Sequence, residues 1–273
     1  MKVQSGIASS LDSRAQLYWE SVGSGDPVLL IHGLGLSGGA WWRTVDALAP
    51  RLRVVTFDNR GIGESKALAP AYTTEAMADD AVAVLDEIGL ESAHVYGLSL
   101  GGMIAQQLAL RHPRRVRSLV LGATQPGGRR AVRPDDDVLA FFRRRSKMGK
   151  EEAAWASVAY NYGPRCRELL VDDIADDIER RLTHPFNPQA YRAQLVAASL
   201  HNCLGRLDRI RVPTLVVHGA RDRVIPVANA HLMAERLPDC RLRILDDSGH
   251  LYPTEEPSVD QEIAGFLVGV PSR

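Results

Sequence analysis

His94-Val95-Tyr96-Gly97-Leu98-Ser99-Leu100-Gly101-Gly102 is the stretch from which the rest of the chain can be read. His94 to Tyr96 has the character of a short buried strand, and from Ser99 to Leu110 the pattern is helical, ended by Pro113. A strand that passes into a helix through one residue needs a very tight turn. Gly97 and Gly101 flank it because a Cβ at either place would collide with a neighbouring strand or helix. Ser99 is therefore expected to carry strained backbone geometry. Its hydroxyl should stand clear of the sheet, above a helix N-terminus whose first NH groups have no partner within the helix.

The same grammar extends outward in both directions. Val28 to Ile31, Val54 to Phe57 and Leu119 to Leu121 are short apolar runs of the kind buried on both faces, and Thr74 to Ile88 has a helical period that stops at Gly89. Leu17 to Val22 reads as an antiparallel-type strand ahead of the turn Gly23-Ser24-Gly25-Asp26. Further on come a strand at Thr214 to Val217, a helix from near Pro226, a strand at Leu242 to Leu245 and a closing helix from about Pro257 to Leu267. Strands alternating with helices imply an α/β domain with a mostly parallel central sheet and helices on both faces.

Residues 126–208 interrupt that alternation. The interval holds no strand-like run, but Trp155, Val158, Ala159 and Tyr162 share a helical face, as do Leu170, Ile174 and Ile178. Asn187 before Pro188 is a helix start, with Asn as cap and Pro at the first helical position. The expected organisation is a core of residues 1–125 and 209–273 carrying a helical cap over 126–208. The charge runs Asp135 to Asp137 and Arg143 to Arg145 read as a solvated helix start and a solvated helix face.

Composition narrows the function classes. The 273 residues are 45% hydrophobic, and 33 basic side chains balance 33 acidic ones, so no net field recruits nucleic acid or an anionic membrane surface. No apolar run is long enough for a signal peptide or a membrane span, so the expectation is a soluble, cytoplasmic protein with a small-molecule partner. Cys166, Cys203 and Cys240 fit neither a disulfide framework nor a zinc site, and neither a metal nor an organic cofactor is expected.

A strand–Gly-Leu-Ser-Leu-Gly–helix unit is the context of a nucleophile elbow. Such a nucleophile needs two NH donors for the oxygen that becomes negative, and the candidates are Leu100, directly after Ser99, and Leu34, in the glycine-rich loop His32 to Gly39. Of the eight histidines, His250 follows the last strand in a polar, Gly-containing loop, where sites gather in open α/β sheets. His218 also ends a strand and is expected to pack or bond structurally, and His231 lies within a helix. Asp222, just past the strand Thr214 to Val217, is the candidate carboxylate. Asp246 and Asp247 lie too near His250 along a short turn to reach its far nitrogen easily.

These residues together resemble the α/β-hydrolase superfamily over nearly the whole chain. The resemblance rests on the His32-Gly33 loop followed by Trp41, Asp58 to Ser65, the Ser99 elbow, Gly219 to Pro226, and Ser248-Gly249-His250. Tyr96 to Arg117 is most similar to 3-oxoadipate enol-lactonases and nearby carboxylesterases and perhydrolases. The resemblance implies an α/β-hydrolase fold and a catalytic triad of Ser99, Asp222 and His250, acting on a small or medium carboxylic ester or lactone through an acyl-enzyme. A C–C bond hydrolase or cofactor-free perhydrolase with the same triad is the nearest alternative, and a hydrolase-fold signalling receptor with slow turnover is another. Asp58 to Ser65 is read as structural, with Arg60 paired to a carboxylate. Trp41 is a candidate substrate contact because the resemblance places its loop near the pocket, and Trp155 and Tyr162 are candidates because residues 126–208 carry seven of the chain's sixteen aromatics and should overhang Ser99.

Overall fold

The computed structural model describes residues 2–67, 72–145 and 147–271. In chain order the elements are β1 (Gln4–Ser9), β2 (Ala15–Val22), β3 (Pro27–Ile31), α1 (Trp42–Leu48), β4 (Arg53–Phe57), β5 (Lys66–Ala67), α2 (Thr74–Glu87), β6 (Ala93–Leu98), α3 (Leu100–Arg111) and β7 (Val116–Gly122). Next come α4 (Asp136–Arg145), α5 (Lys150–Ala156), α6 (Val158–Asn161), α7 (Pro164–Leu169), α8 (Val171–Thr183) and α9 (Pro188–Leu200). The chain closes with β8 (Thr214–Gly219), α10 (Ala228–Ala234), β9 (Cys240–Leu245), α11 (Tyr252–Glu255) and α12 (Ser258–Val268).

One sheet runs in the order β1-β2-β4-β3-β6-β7-β8-β9, with β5 on the edge of β2. From β4 to β9 every pairing is parallel, and β2 is antiparallel to β1 and β4. Strand side chains alternate between faces, which divides each apolar run between two cores. Leu29, Ile31, Val95, Leu119 and Val216 pack with Met77, Leu85, Met103 and Leu108 of α2 and α3. Val28, Leu30, Tyr96, Val120 and Val217 pack on the other face with Leu48 of α1 and Val259, Ile263 and Leu267 of α12. Strands buried on both faces are the reason the sequence shows continuous apolar runs there and not alternation.

β3 has β4 on one side and β6 on the other, so successive connections leave it in opposite directions. The crevice beyond the strand ends at such a reversal is where ligands bind in open α/β sheets. The His32 loop follows β3, and Ser99 follows β6 at this point.

Local signals place most elements to within two residues. Asn187 Oδ1 accepts from the NH groups of Gln189 and Ala190 and so caps α9 as expected. Three features differ. β1 has no counterpart in the apolar pattern, because only Ala8 of its six residues is fully buried and its pairing with β2 supplies an order that its own polar sequence does not show. Trp155 and Tyr162 do not share one helical face. Trp155 is largely exposed on α5, whereas Tyr162 is buried in extended backbone just past the end of α6. Arg143 to Arg145 is not uniformly solvated, since Arg145 is half-buried. Among the described residues between β7 and β8 there are six α-helices, a 3-10 helix (Leu204–Arg209) and a lone bridge, Gly127 to Asn202, but no longer strand. Among the described residues no helix is long and apolar enough to cross a membrane.

Candidate active site

β6 ends at Leu98 and α3 begins at Leu100, so Ser99 alone makes the turn. Its φ of 56° and ψ of −119° are sparsely populated by L-residues, at a cost of order 1–3 kcal/mol. The surroundings impose this geometry. The Ser99 NH donates to the Gly122 carbonyl at 2.9 Å, and Thr124 Oγ1 donates to the Ser99 carbonyl at 2.7 Å. A Cβ on Gly97 would lie 2.3 Å from the Gly101 carbonyl oxygen, and one on Gly101 only 1.8 Å from that of Ile31. Both glycines are needed so that strand and helix can close on each other.

Ser99, Asp222 and His250 meet at the carboxyl ends of β6, β8 and β9. Asp222 Oδ1 accepts the NH groups of Val224 and Ile225, each at 2.8 Å, which orients the carboxylate. His250 Nδ1 donates to Asp222 Oδ2 at 2.8 Å, and His250 Nε2 stands 3.0 Å from Ser99 Oγ. A carboxylate can only accept, so the proton sits on Nδ1 and Nε2 is free to accept from the serine hydroxyl. Burial opposes charge on Asp222, but the neighbouring His250, with hydrogen bonds from His218 and His250, holds its carboxyl down at about 2. Asp246 and Asp247 are exposed and turned outward, and Asp247 lies 3.6 Å from Arg165.

In the loop after β3, the Gly33 NH donates to His32 Nδ1, the Gly35 NH to Gln194 Oε1 of α9, and the Leu36 NH to the Gly33 carbonyl. Among the described residues this leaves the Leu34 NH of that run without a protein acceptor. Leu100 occupies the first position of α3, where an NH has no partner within the helix. His32 is held neutral, its pKa pushed down to about 3 by burial and by the nearby charge of Arg181.

The aromatic side chains expected to meet substrate lie elsewhere. Trp41 is 2% exposed and packs between His32 and Tyr96. Tyr162 is 3% exposed, with its hydroxyl between Asp177 and Arg181. Trp155 is 46% exposed. None lines the cavity of about 500 Å³, partly open to solvent, above Ser99 and His250. Its walls are completed by Leu36, Phe142, Arg145, Asn161, Arg181 and Val224. Sequence reading missed these, for no local signal tells which residues of α4, α6 and α8 face inward.

Two further groups hold the His250 loop. The Asn161 carbonyl accepts the NH groups of His250 and Leu251, at 2.8 and 3.0 Å. Glu255, whose pKa burial pushes up to about 7, accepts the NH groups of Gly249 and Gly163. His218 bonds structurally, as its position suggested, donating from Nε2 to the Ile225 carbonyl at 2.7 Å, and the same nitrogen lies 3.2 Å from Asp222 Oδ2. Arg60 forms a two-pronged bond with Asp80, at 2.6 and 2.7 Å. The three cysteines are free thiols whose pKa values burial raises. Among the described residues no group of three or more His, Cys, Asp or Glu could hold a metal ion.

A parallel sheet flanked by helices, with a strained serine between strand and helix and a histidine and a carboxylate at neighbouring strand ends, defines a hydrolase-type enzyme fold. Residues 26–257 match the α/β-hydrolase fold family, and the chain belongs to that family. It is 33% identical over 258 residues to a putative carbamate hydrolase, RutD, of Azorhizobium caulinodans, covering 92% of this chain and 95% of that one. Among solved structures it is similar to a thermophilic esterase from Thermogutta terrifontis, with 27% identity and a TM-score of 0.83 over 98% of this chain and 100% of that one. It is also similar to Est816, an N-acyl homoserine lactone degrading enzyme, with 30% identity and a TM-score of 0.81 over 96% and 99% of the two chains.

Proposed function

We propose that this chain is a serine hydrolase that cleaves a small or medium carboxylic ester or lactone through an acyl-enzyme, with Ser99, His250 and Asp222 as its triad. The observation that carries the reading is the unbroken series of contacts from Asp222 through His250 to Ser99, at 2.8 and 3.0 Å. Ser99 Oγ attacks the carbonyl carbon while its proton passes to His250 Nε2, and Asp222 stabilises the imidazolium. The carbonyl electron pair moves onto oxygen, where the Leu34 and Leu100 NH groups receive the negative charge. As the intermediate collapses, the C–O bond to the leaving group breaks and the departing oxygen takes the proton from Nε2. Water then attacks the acyl carbon, gives its proton to Nε2, and releases the acid as Ser99 recovers its own. A lactone follows the same steps with its leaving oxygen still tethered to the acyl chain.

The activities for which the three relatives are named, on a carbamate, an ester and a lactone, all call for attack at an acyl carbon. Residues 126–208 act as a cap in this reading, because Phe142, Arg145, Asn161 and Arg181 wall the cavity over Ser99. Purified Ser99→Ala protein is expected to lose turnover on a graded series of esters and lactones while keeping its melting transition, and a fluorophosphonate is expected to label Ser99. Retention of more than a few per cent of activity would refute the assignment.

A further inference from the structure

The cavity above Ser99 has a marked sign of charge in a chain whose basic and acidic side chains balance. Arg145, from the last turn of α4, and Arg181, from the last turn of α8, both line it, and among the described residues no Asp or Glu does. A second space of about 600 Å³ shares Leu36, Arg145 and Arg181 with the first and adds Lys150 and His184, again without an acidic side chain among the described residues that line it. The two spaces adjoin at Leu36, Arg145 and Arg181, and both are lined by basic side chains.

Lys150 donates to the carbonyls of Leu182 and His184, so it serves the C-terminal end of α8. Arg145 donates through Nη1 to the Tyr191 hydroxyl at 3.3 Å, and its guanidinium carbon lies 5.2 Å from the centre of that ring. Neither contact neutralises its charge. Arg181 donates to the Tyr162 hydroxyl at 2.8 Å and lies 3.8 Å from Asp177. That carboxylate is shared, since it also accepts from Trp42, Arg43, Tyr162 and Thr254. Two arginines thus line the cavity, Arg145 with no carboxylate partner among the described residues and Arg181 sharing its one carboxylate with other donors.

We propose that Arg145 and Arg181 form a carboxylate subsite, so that the substrate is an ester or lactone carrying a carboxylate remote from the bond that is cut. A guanidinium presents its donors in a planar fork that matches a carboxylate, and in a partly enclosed cavity the attraction is less screened than at an open surface. The anionic arm anchors on the two arginines and the acyl carbon comes to Ser99, which makes part of the binding energy an orienting one. This inference rests on the serine-hydrolase reading for the role of Ser99, but not for the presence of the anion site.

The test compares monomethyl succinate, glutarate and adipate with methyl esters of the matching monocarboxylic acids, following methanol release. With the native protein kcat/KM is expected to favour the anionic member of the best pair by about tenfold or more at low salt, and sodium chloride should reduce the preference. In Arg145→Gln the ratio should fall about tenfold or more, with Arg145→Lys intermediate. Arg181→Gln should act in the same direction. Melting curves identify a variant that has merely unfolded. A ratio near one in the native protein, or a ratio unchanged in folded Arg145→Gln, overturns the subsite. Calorimetric binding of adipate to Ser99→Ala protein, weakened by adding Arg145→Gln, gives a readout that needs no turnover. If the neutral esters are hydrolysed through Ser99 without preference for charge, the subsite falls and the hydrolase reading stands. If no ester is cleaved but adipate binds in an Arg145-dependent manner, the hydrolase reading falls and the subsite stands.

Discussion

Replacing Asp222 by Asn changes one atom, and the structure states which way the new amide must turn. At one end of the carboxylate, Oδ1 accepts the NH groups of Val224 and Ile225. At the other, Oδ2 faces two imidazole nitrogens, Nδ1 of His250 at 2.8 Å and Nε2 of His218 at 3.2 Å. In the Asp222→Asn variant the amide oxygen must stay with the two backbone donors, because an NH2 group there would face two NH groups. The NH2 is therefore driven toward His250 Nδ1, which becomes an acceptor and sends the ring proton to Nε2. That nitrogen can then no longer accept the Ser99 proton. In a triad of another fold the wrong tautomer costs about ten-thousandfold in turnover, or roughly 5 kcal/mol of barrier. The same loss is expected here, with little change in unfolded fraction, because the side chain keeps its shape and its backbone bonds. Steady-state kinetics on a chromogenic ester, paired with a urea titration, measure both quantities. Activity within tenfold of the native protein would show that Asp222 does not set the tautomer of His250.

Asp260 offers a stability test with a definite sign. It is buried, its Oδ2 accepts from Thr44 at 2.7 Å, its Oδ1 has no partner among the described residues, and burial pushes its pKa up to about 7. Between pH 4 and 7 the folded chain therefore holds this proton more tightly than the unfolded one, and stability falls as pH rises through that window. Asp260→Asn removes this part of the slope, so its stability relative to native protein should rise from pH 4 to pH 8, by an amount of order 4 kcal/mol. A difference that does not vary with pH, in urea titrations at both values, would count against a buried proton on Asp260. Asp177 ties α8 to Trp42, Arg43, Tyr162 and Thr254. Asp177→Ala leaves buried donors and cations without their acceptor and should destabilise by about 3 kcal/mol. A loss below about 1 kcal/mol would mean that this cluster contributes little to holding the helices.

The elements that carry Ser99, Asp222 and His250 could be read from sequence because each is a local event. A strand ends, a glycine or a polar turn follows, and the backbone conformation required there leaves a residue-type signature within a few positions. Gly97 and Gly101 are the clearest case, since the colliding atoms belong to the two elements that the turn itself joins or touches. The chain order of the three residues did the rest, because parallel strands deliver their C-terminal ends to one edge. What the helices between β7 and β8 turn toward Ser99 was not legible. Their faces are chosen by contacts with distant residues, such as Gln194 with Gly35, Asn161 with the His250 loop and Asp177 with Trp42 and Arg43. Periodicity marks a stripe that is buried but not what buries it, so Trp155 looked inward and Arg145 looked solvated. β1 escaped notice for a related reason, as its order comes from pairing with β2 and not from an apolar pattern of its own. Local backbone constraint is written into neighbouring residues, whereas the lining of the cavity is a property of several helices packed together, and only the tertiary structure decides it.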